Sequence, residues 1–384
     1  MSGVDVTSGA PETGRTAPSG PSATRPDAAT APATLDQAVA VIAAGAAELD
    51  RAPRFPREAF AALAAAGALA TTIGAAREFA PVRPEWDLLR RVAAADASVG
   101  RILDGHLNAI ERFEVAADPA LRDRELAAAA AGERLFGVWG ADPGPEEGAP
   151  ARLRKAGDVL VLRGAKTFCS GAGGVDAALV MVGSDDGTAP ALVLLDCGEA
   201  VEVDRDWYRA AGLRASESHR VVFQDAPVTA VLGEPGELAR DPWFSRDAMR
   251  TAASWAGMVD AAGCGALDDL AGRRADDPLA QLAAGRIVAA RGTVDAWLER
   301  AATVADAAVG TGATVDPRST SVAMRAEIDR AAKAILETAA AACGSHPFVT
   351  GGRLDRARRD LETFLLQHRL DPLVARLGAA RLVG

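Results

Sequence analysis

From Leu35 to Ala131 apolar residues recur at helical spacing. Leu35, Ala38, Val39, Ile42 and Ala46 share one face, and Phe60, Leu63 and Leu69 continue the pattern after the breakers Pro53 and Pro56. The run Trp86-Asp87-Leu88-Leu89-Arg90-Arg91-Val92 opens a further helix just after Pro84, a residue suited to a first helical turn. Near Arg134 the period changes. Short apolar runs follow at Leu135 to Trp139, Val159 to Leu162, Ala178 to Val182, Leu192 to Leu195 and Arg220 to Phe223, each bounded by Gly, Asp or Pro. Such runs, without long helical periods between them, predict an antiparallel sheet or barrel. Beyond Pro242 the helical period returns through Met249 to Leu270, Leu279 to Val304, Ser321 to Ala342 and Leu354 to Leu366.

The predicted fold is therefore mainly α with a central β unit. An N-terminal helical domain spans 35–133, a middle β domain 134–235 and a C-terminal helical bundle 236–384. Residues 1–34 are rich in Ser, Thr, Pro, Gly and Ala and read as a disordered tail, with too few large apolar groups to offset the entropy of ordering. Composition adds exclusions. With 42 Lys+Arg against 52 Asp+Glu the chain carries a formal charge of −10, which argues against a nucleic-acid partner needing a basic face. No run reaches the roughly 20 apolar residues of a bilayer span, and the start of the chain has neither the basic nor the apolar region of a secretory signal. Cys169, Cys197, Cys264 and Cys343 are scattered, which fits reduced thiols in a cytoplasmic protein, and no metal-ligand spacing is present.

Three segments carry chemistry. Gly164-Ala165-Lys166-Thr167-Phe168-Cys169-Ser170-Gly171 leads into Val175-Asp176-Ala177-Ala178-Leu179-Val180; Gly212-Leu213-Arg214-Ala215-Ser216 leads into Val221-Val222-Phe223-Gln224-Asp225; and Arg358-Arg359-Asp360 lies near the C-terminus. In that order they resemble the acyl-CoA dehydrogenase superfamily, in which a small β domain sits between two helical ones. The resemblance implies a flavoprotein, FAD in most members, assembled as a homodimer or homotetramer. It implies that Phe168 packs on the flavin ring and that Ser170 contacts the ring edge, with Cys169 between them. Trp139 stands in the segment that usually contributes flavin contacts, Arg273 is what remains of a phosphate-binding segment, and Gly344 keeps part of a Gly-Gly segment. Arg214 and Arg250 are the substrate-side candidates.

The departures bear on function. Members of the superfamily commonly abstract an α-proton with a glutamate eight residues beyond the Arg-Asp pair, and here that position is His368. A second histidine, His106, follows Asp104-Gly105, and both resemble the reduced-flavin monooxygenase branch. An imidazole, with pKa near 6.5, suits proton transfer at neutral pH. One reading is α,β-dehydrogenation of an acyl thioester with His368 as base and an electron acceptor as partner. A second is two-component oxygenation of a small molecule, with FMN or FAD reduced by a partner flavin reductase and with His106 and His368 flanking the reacting oxygen. A third is a flavin-poor binding protein that kept the fold and lost the chemistry.

Overall fold

A computed structural model of the protein describes residues 33–73, 79–183, 189–309, 315–349, 351–367 and 369–382. The expected tail falls almost wholly on residues outside these. Thr34 is described, and it starts the first helix: its hydroxyl accepts from the Gln37 N–H at 3.3 Å while the Gln37 side chain accepts from the Thr34 N–H at 2.8 Å.

The helices α1 (Leu35–Arg51), α2 (Arg57–Ala65), α3 (Val82–Ala95), α4 (Ala97–Ala116) and α5 (Pro119–Ala130) precede the strands. Two four-stranded sheets follow. One contains β1 (Phe136–Trp139), β4 (Ala177–Val182), β5 (Ala191–Asp196) and β8 (Ala230–Leu232), in the order β1-β4-β5-β8. The other contains β2 (Arg152–Ala156), β3 (Val159–Cys169), β7 (His219–Pro227) and β6 (Val201–Asp204), in the order β2-β3-β7-β6. Two features depart from the sequence expectation. β1 runs parallel to β4, with Phe136 opposite Ala177, and the short strands β2, β6 and β8 are not among the expected runs. They lie at the sheet edges or are only three to five residues long, where pairing rather than burial makes the strand.

After the strands come α6 (Trp243–Arg274), α7 (Pro278–Ala308), α8 (Pro317–Cys343), the single turn α9 (His346–Val349), α10 (Arg353–Leu365) and α11 (Asp371–Leu382). Helix α3 joins the two halves of the core. Its Leu88, Leu89 and Val92 pack with Ile42, Leu63, Leu103, Val180, Val221 and Phe223, while its Val82, Trp86 and Ala93 pack with Trp255, Met258, Ile328 and Phe364. The crossing of α3 with α6 is close because Gly257 has no side chain; a Cβ there would lie 2.2 Å from the Arg90 carbonyl oxygen. Helix α6 spans 32 residues, and at about 1.5 Å per residue it is roughly 48 Å long, so its two ends serve different parts of the molecule.

Candidate active site

The predicted flavin-binding segment is the end of β3, where its pairing with β7 shifts register between Lys166 and Cys169. Phe168 takes up the irregularity with φ of 52°, in the left-handed region that disfavours a bulky side chain. The strain turns its ring outward, 54% exposed, edge-on to Trp207 with ring centroids 4.9 Å apart. The loop after β1 is tied to the same strand. Buried Lys166 donates to the Gly140 carbonyl at 3.0 Å and to Asp142 Oδ1 at 2.7 Å, and the Thr167 N–H donates to the Ala141 carbonyl at 3.0 Å.

Ser170 lies in the turn beyond β3 and begins a buried polar cluster. Its hydroxyl is 2.9 Å from that of Ser218, which is 2.7 Å from that of Ser216. On its other side Arg101, from α4, donates through Nε at 3.2 Å. The same guanidinium donates through Nη1 to Asp104 Oδ2 at 2.7 Å and lies over the Phe364 ring at 5.4 Å. Thr251 of α6 donates to the same Asp104 oxygen at 3.1 Å. The other oxygen, Oδ1, is buried without a partner among the described residues, and burial pushes the Asp104 carboxyl up to about 6 although the Arg101 charge acts against it. Sequence reasoning missed Arg101 and Asp104. A signal existed: they stand three apart in a helix whose neighbouring positions, from Ala97 to Phe113, are almost all buried. Charged residues on such a face need a reason.

Four expected contacts are corrected by their surroundings. Trp139 is buried, and its indole N–H already donates to the Ser170 carbonyl at 3.1 Å, so it supports the Ser170 turn from beneath rather than facing a ligand. The Cys169 side chain points into the core and burial pushes its thiol well up, which leaves only its backbone for a cofactor. Arg250 is 1% exposed and held by Glu85 at 2.7 Å, Glu111 at 2.7 Å and Asp247 at 3.5 Å, so it braces α3, α4 and α6 from a buried position. His106 is fully buried. The Phe136 N–H donates to its Nδ1 at 3.1 Å, which assigns the proton to Nε2 and makes that nitrogen the donor to the Leu69 carbonyl at 2.9 Å. Burial lowers its pKa to about 4, so this is a neutral packing histidine stacked on Phe136.

Arg273 and Gly344 lie at the far end of α6. Arg273 is paired with Asp269 and reaches the Cys343 carbonyl at 3.4 Å, beside Gly344 at the end of α8. That end of α6 is roughly 33 Å along the helix from Thr251, counting 22 residues at 1.5 Å each. Arg214 donates to the Asp50 carbonyl and faces a cavity between α1, α2 and the segment from Arg205 to His219. His368 lies outside the described residues, four positions beyond Phe364.

No family model matches the chain, and no curated protein matches it. Solved structures do. Methanesulfinate monooxygenase MsuC from Pseudomonas fluorescens aligns with a TM-score of 0.78 over 91% of this chain and 96% of its own, at 20% identity. FMN-bound TdsC from Paenibacillus sp. A11-2 aligns with a TM-score of 0.77 over 90% of this chain and 96% of its own, at 19% identity. KijD3, in complex with FMN and dTDP-3-amino-2,3,6-trideoxy-4-keto-3-methyl-D-glucose, gives 0.79 over 91% and 92%, at 23% identity. The chain has the acyl-CoA dehydrogenase fold.

Within the acyl-CoA dehydrogenase fold seen here, the end of β3, the Arg101 turn of α4 and the Phe364 end of α10 converge on one place. A flat ring system fits it on physical grounds. Phe168 offers an exposed aromatic face, Gly140 leaves open space where a side chain would stand, and the Ser170 hydroxyl and Arg101 supply polar contacts at the edge. The expected phosphate-side arginines stand at the far end of α6, where Arg273 pairs with Asp269 and Arg274 with Asp277.

Proposed function

We propose that the chain is a flavin-dependent oxidoreductase working as a two-component monooxygenase on a small molecule, with reduced FMN delivered by a flavin reductase. The observation that carries the choice is Arg101. The strongest polar group beside the Phe168 and Ser170 edge is a guanidinium donor, and of its companion Asp104 one oxygen, Oδ2, is taken by that guanidinium and by Thr251. A guanidinium cannot take up an α-proton, whereas it can stabilise negative charge developing on oxygen. The FMN held by TdsC and KijD3 favours FMN over FAD. The solved neighbours support the reading: MsuC is a methanesulfinate monooxygenase, and TdsC and KijD3 hold FMN.

Reduced flavin, when bound, supplies the two electrons by which one oxygen atom enters the substrate and the other leaves as water. The protein's share is positional. Phe168 gives the ring a wall, Ser170 holds a hydroxyl at its edge through Ser218, and Arg101 presents a fixed donor backed by Asp104. His368 is assigned proton transfer, on the chain continuing past Phe364.

One specific observation keeps the dehydrogenase reading as second: the position of the family's glutamate is filled by an imidazole, which can act as a base. The test supplies reduced FMN, through a reductase, with oxygen and a substrate panel that includes indole, a sulfide and an acyl-CoA. Flavin-dependent incorporation of labelled oxygen into a product is expected. Anaerobic bleaching of bound oxidised flavin by the acyl-CoA would instead establish dehydrogenation. Failure to bind oxidised or reduced FMN or FAD would withdraw both and leave the flavin-poor binding protein.

A further inference from the structure

The segment from Ser216 to His219 has two faces with different company. Ser216 and Ser218 turn toward Ser170, whereas Glu217 and His219 turn the other way and line the cavity against α1 and α2. That cavity has a volume of about 860 Å³, within the range that takes a small organic ligand. Phe168, Ser170 and Arg101 are not among its lining residues, and the segment from Ser216 to His219 stands between it and Ser170.

Its charge is opposite in sign to that of the chain. Five arginines and three glutamates line it, in a protein with formal charge −10. Two of the arginines are spent: Arg54 pairs with Glu48 at 2.8 Å and Arg205 with Glu217 at 2.7 Å. The other three have no carboxylate partner among the described residues. Arg57 lies over the Phe55 ring at 5.6 Å, Arg209 donates to the Asp206 carbonyl at 2.8 Å, and Arg214 reaches the Asp50 carbonyl. Each therefore keeps donors for a ligand.

The second observation is His219. It is 6% exposed and lines the cavity, yet neither ring nitrogen makes a hydrogen bond among the described residues; Nε2 is 3.4 Å from Glu217 Oε2, within ion-pair range only. Buried polar groups are normally satisfied, so an imidazole whose Nε2 faces Glu217 and whose Nδ1 has no partner among the described residues calls for one inside the cavity. Glu217 beside it is held at φ of 48°, a strained conformation that fixes which side chains face the cavity. Apolar walls are supplied by Ile42, Leu49 and Phe55.

We propose that this cavity is a binding site for an organic phosphate, separate from the flavin face. Three uncommitted guanidiniums exceed what one carboxylate engages and match a multiply charged phosphate, while the apolar wall takes the organic body. The site needs no assumption about the reaction catalysed.

The test is calorimetric titration of the full chain with ADP and with inorganic pyrophosphate, with adenosine as the uncharged control. Saturable binding of ADP at one site is expected, with adenosine weaker, and ADP should shift the ring resonances of His219. The double variant R57Q/R209Q alters two exposed side chains and should weaken ADP roughly tenfold or more. Phe168→Ala should leave it unchanged. Absence of saturable binding by both phosphates, equal affinity in the double variant, unshifted His219 resonances, or loss of binding in the Phe168 variant would each overturn the proposal. The last outcome would place the phosphate on the flavin face instead.

Discussion

Arg250 and Arg101 are arginines on neighbouring helices, the first buried and the second half-buried, and their surroundings differ. Around Arg250, Glu85, Glu111 and Asp247 take the guanidinium from three directions, and the charge ties α3 and α4 to α6. Around Arg101 the pairing is incomplete. Its one carboxylate leaves an oxygen unpartnered, its Nε goes to a serine hydroxyl, and its flat face rests on Phe364. A buried charge whose partners are all opposite in sign is a brace. One held by a single carboxylate and a serine hydroxyl, next to a strained and exposed aromatic ring, is arranged to receive something.

The largest expected effect breaks the brace. Arg250→Ala leaves Glu85 and Glu111 buried without their main cation and should cost roughly 3–5 kcal/mol of stability, read as a lowered midpoint in chemical denaturation. Arg101→Gln should do the reverse: its stability should change by no more than about 1.5 kcal/mol, while turnover with reduced flavin and substrate falls about 10²-fold. If both variants lose stability alike, the contrast between the two arginines fails. His368→Ala tests the same side of the comparison, with an expected loss on the order of 10² in turnover and stability near that of the unaltered protein.

A smaller effect uses pH. Asp104 and His106 share a helix, both are buried, and burial moves their pKa values in opposite directions, to about 6 and about 4. The raised Asp104 value means that the folded state holds its proton more tightly than the unfolded chain. Its contribution is present below pH 4 and is lost as the pH rises to 6. The lowered His106 value has the opposite sign: its contribution is present above about 6.5 and is lost as the pH falls toward 4. Asp104→Asn should therefore gain stability relative to the parent as pH rises from 4 to 6, and His106→Gln should gain as pH falls over the same window. Each change is bounded by about 1.4 kcal/mol per pH unit. Parallel curves for either variant and the parent would show that its group does not titrate differently in the folded state.

These residues also show how far the chain could be read unaided. The helix, strand, helix order was visible because α1, α3 and α6 repeat apolar residues at helical spacing and β4 and β5 are continuous apolar runs. Strands β2, β6 and β8 were not, because edge strands of three to five residues are too short for a pattern to stand out, even in the Val-Glu-Val-Asp of β6. At the site, the segment around Phe168 and Ser170 stood out by its residues, but Trp139, Cys169, Arg250 and His106 share residue types with active groups and differ only in which partners the fold brings to them. The Glu85 and Glu111 that occupy Arg250 lie 165 and 139 positions away in sequence. Arg101 and Asp104 were overlooked for the converse reason. A local pattern marks them as unusual, but their link to Ser170 and Thr251 exists only after four segments have packed.

The smallest stability change is expected at Phe168, and it sharpens the comparison because stability and binding should separate there. A phenylalanine at φ of 52° costs on the order of 1 kcal/mol that glycine would not pay. Against this, its ring contributes one edge-on contact with Trp207, worth about 0.5–1.5 kcal/mol, and little burial. The two terms nearly cancel, so Phe168→Gly should unfold within about 1 kcal/mol of the parent. Flavin binding has no such compensation. Removing the exposed wall should weaken the affinity for FMN roughly tenfold or more, measured by fluorescence titration. Unchanged FMN affinity would mean that the strained ring serves the fold alone and would take the flavin off this face. A destabilisation well above 1 kcal/mol would mean that the conformation at Phe168 is not strained, and the reason for reading the end of β3 as a receiving surface would go with it.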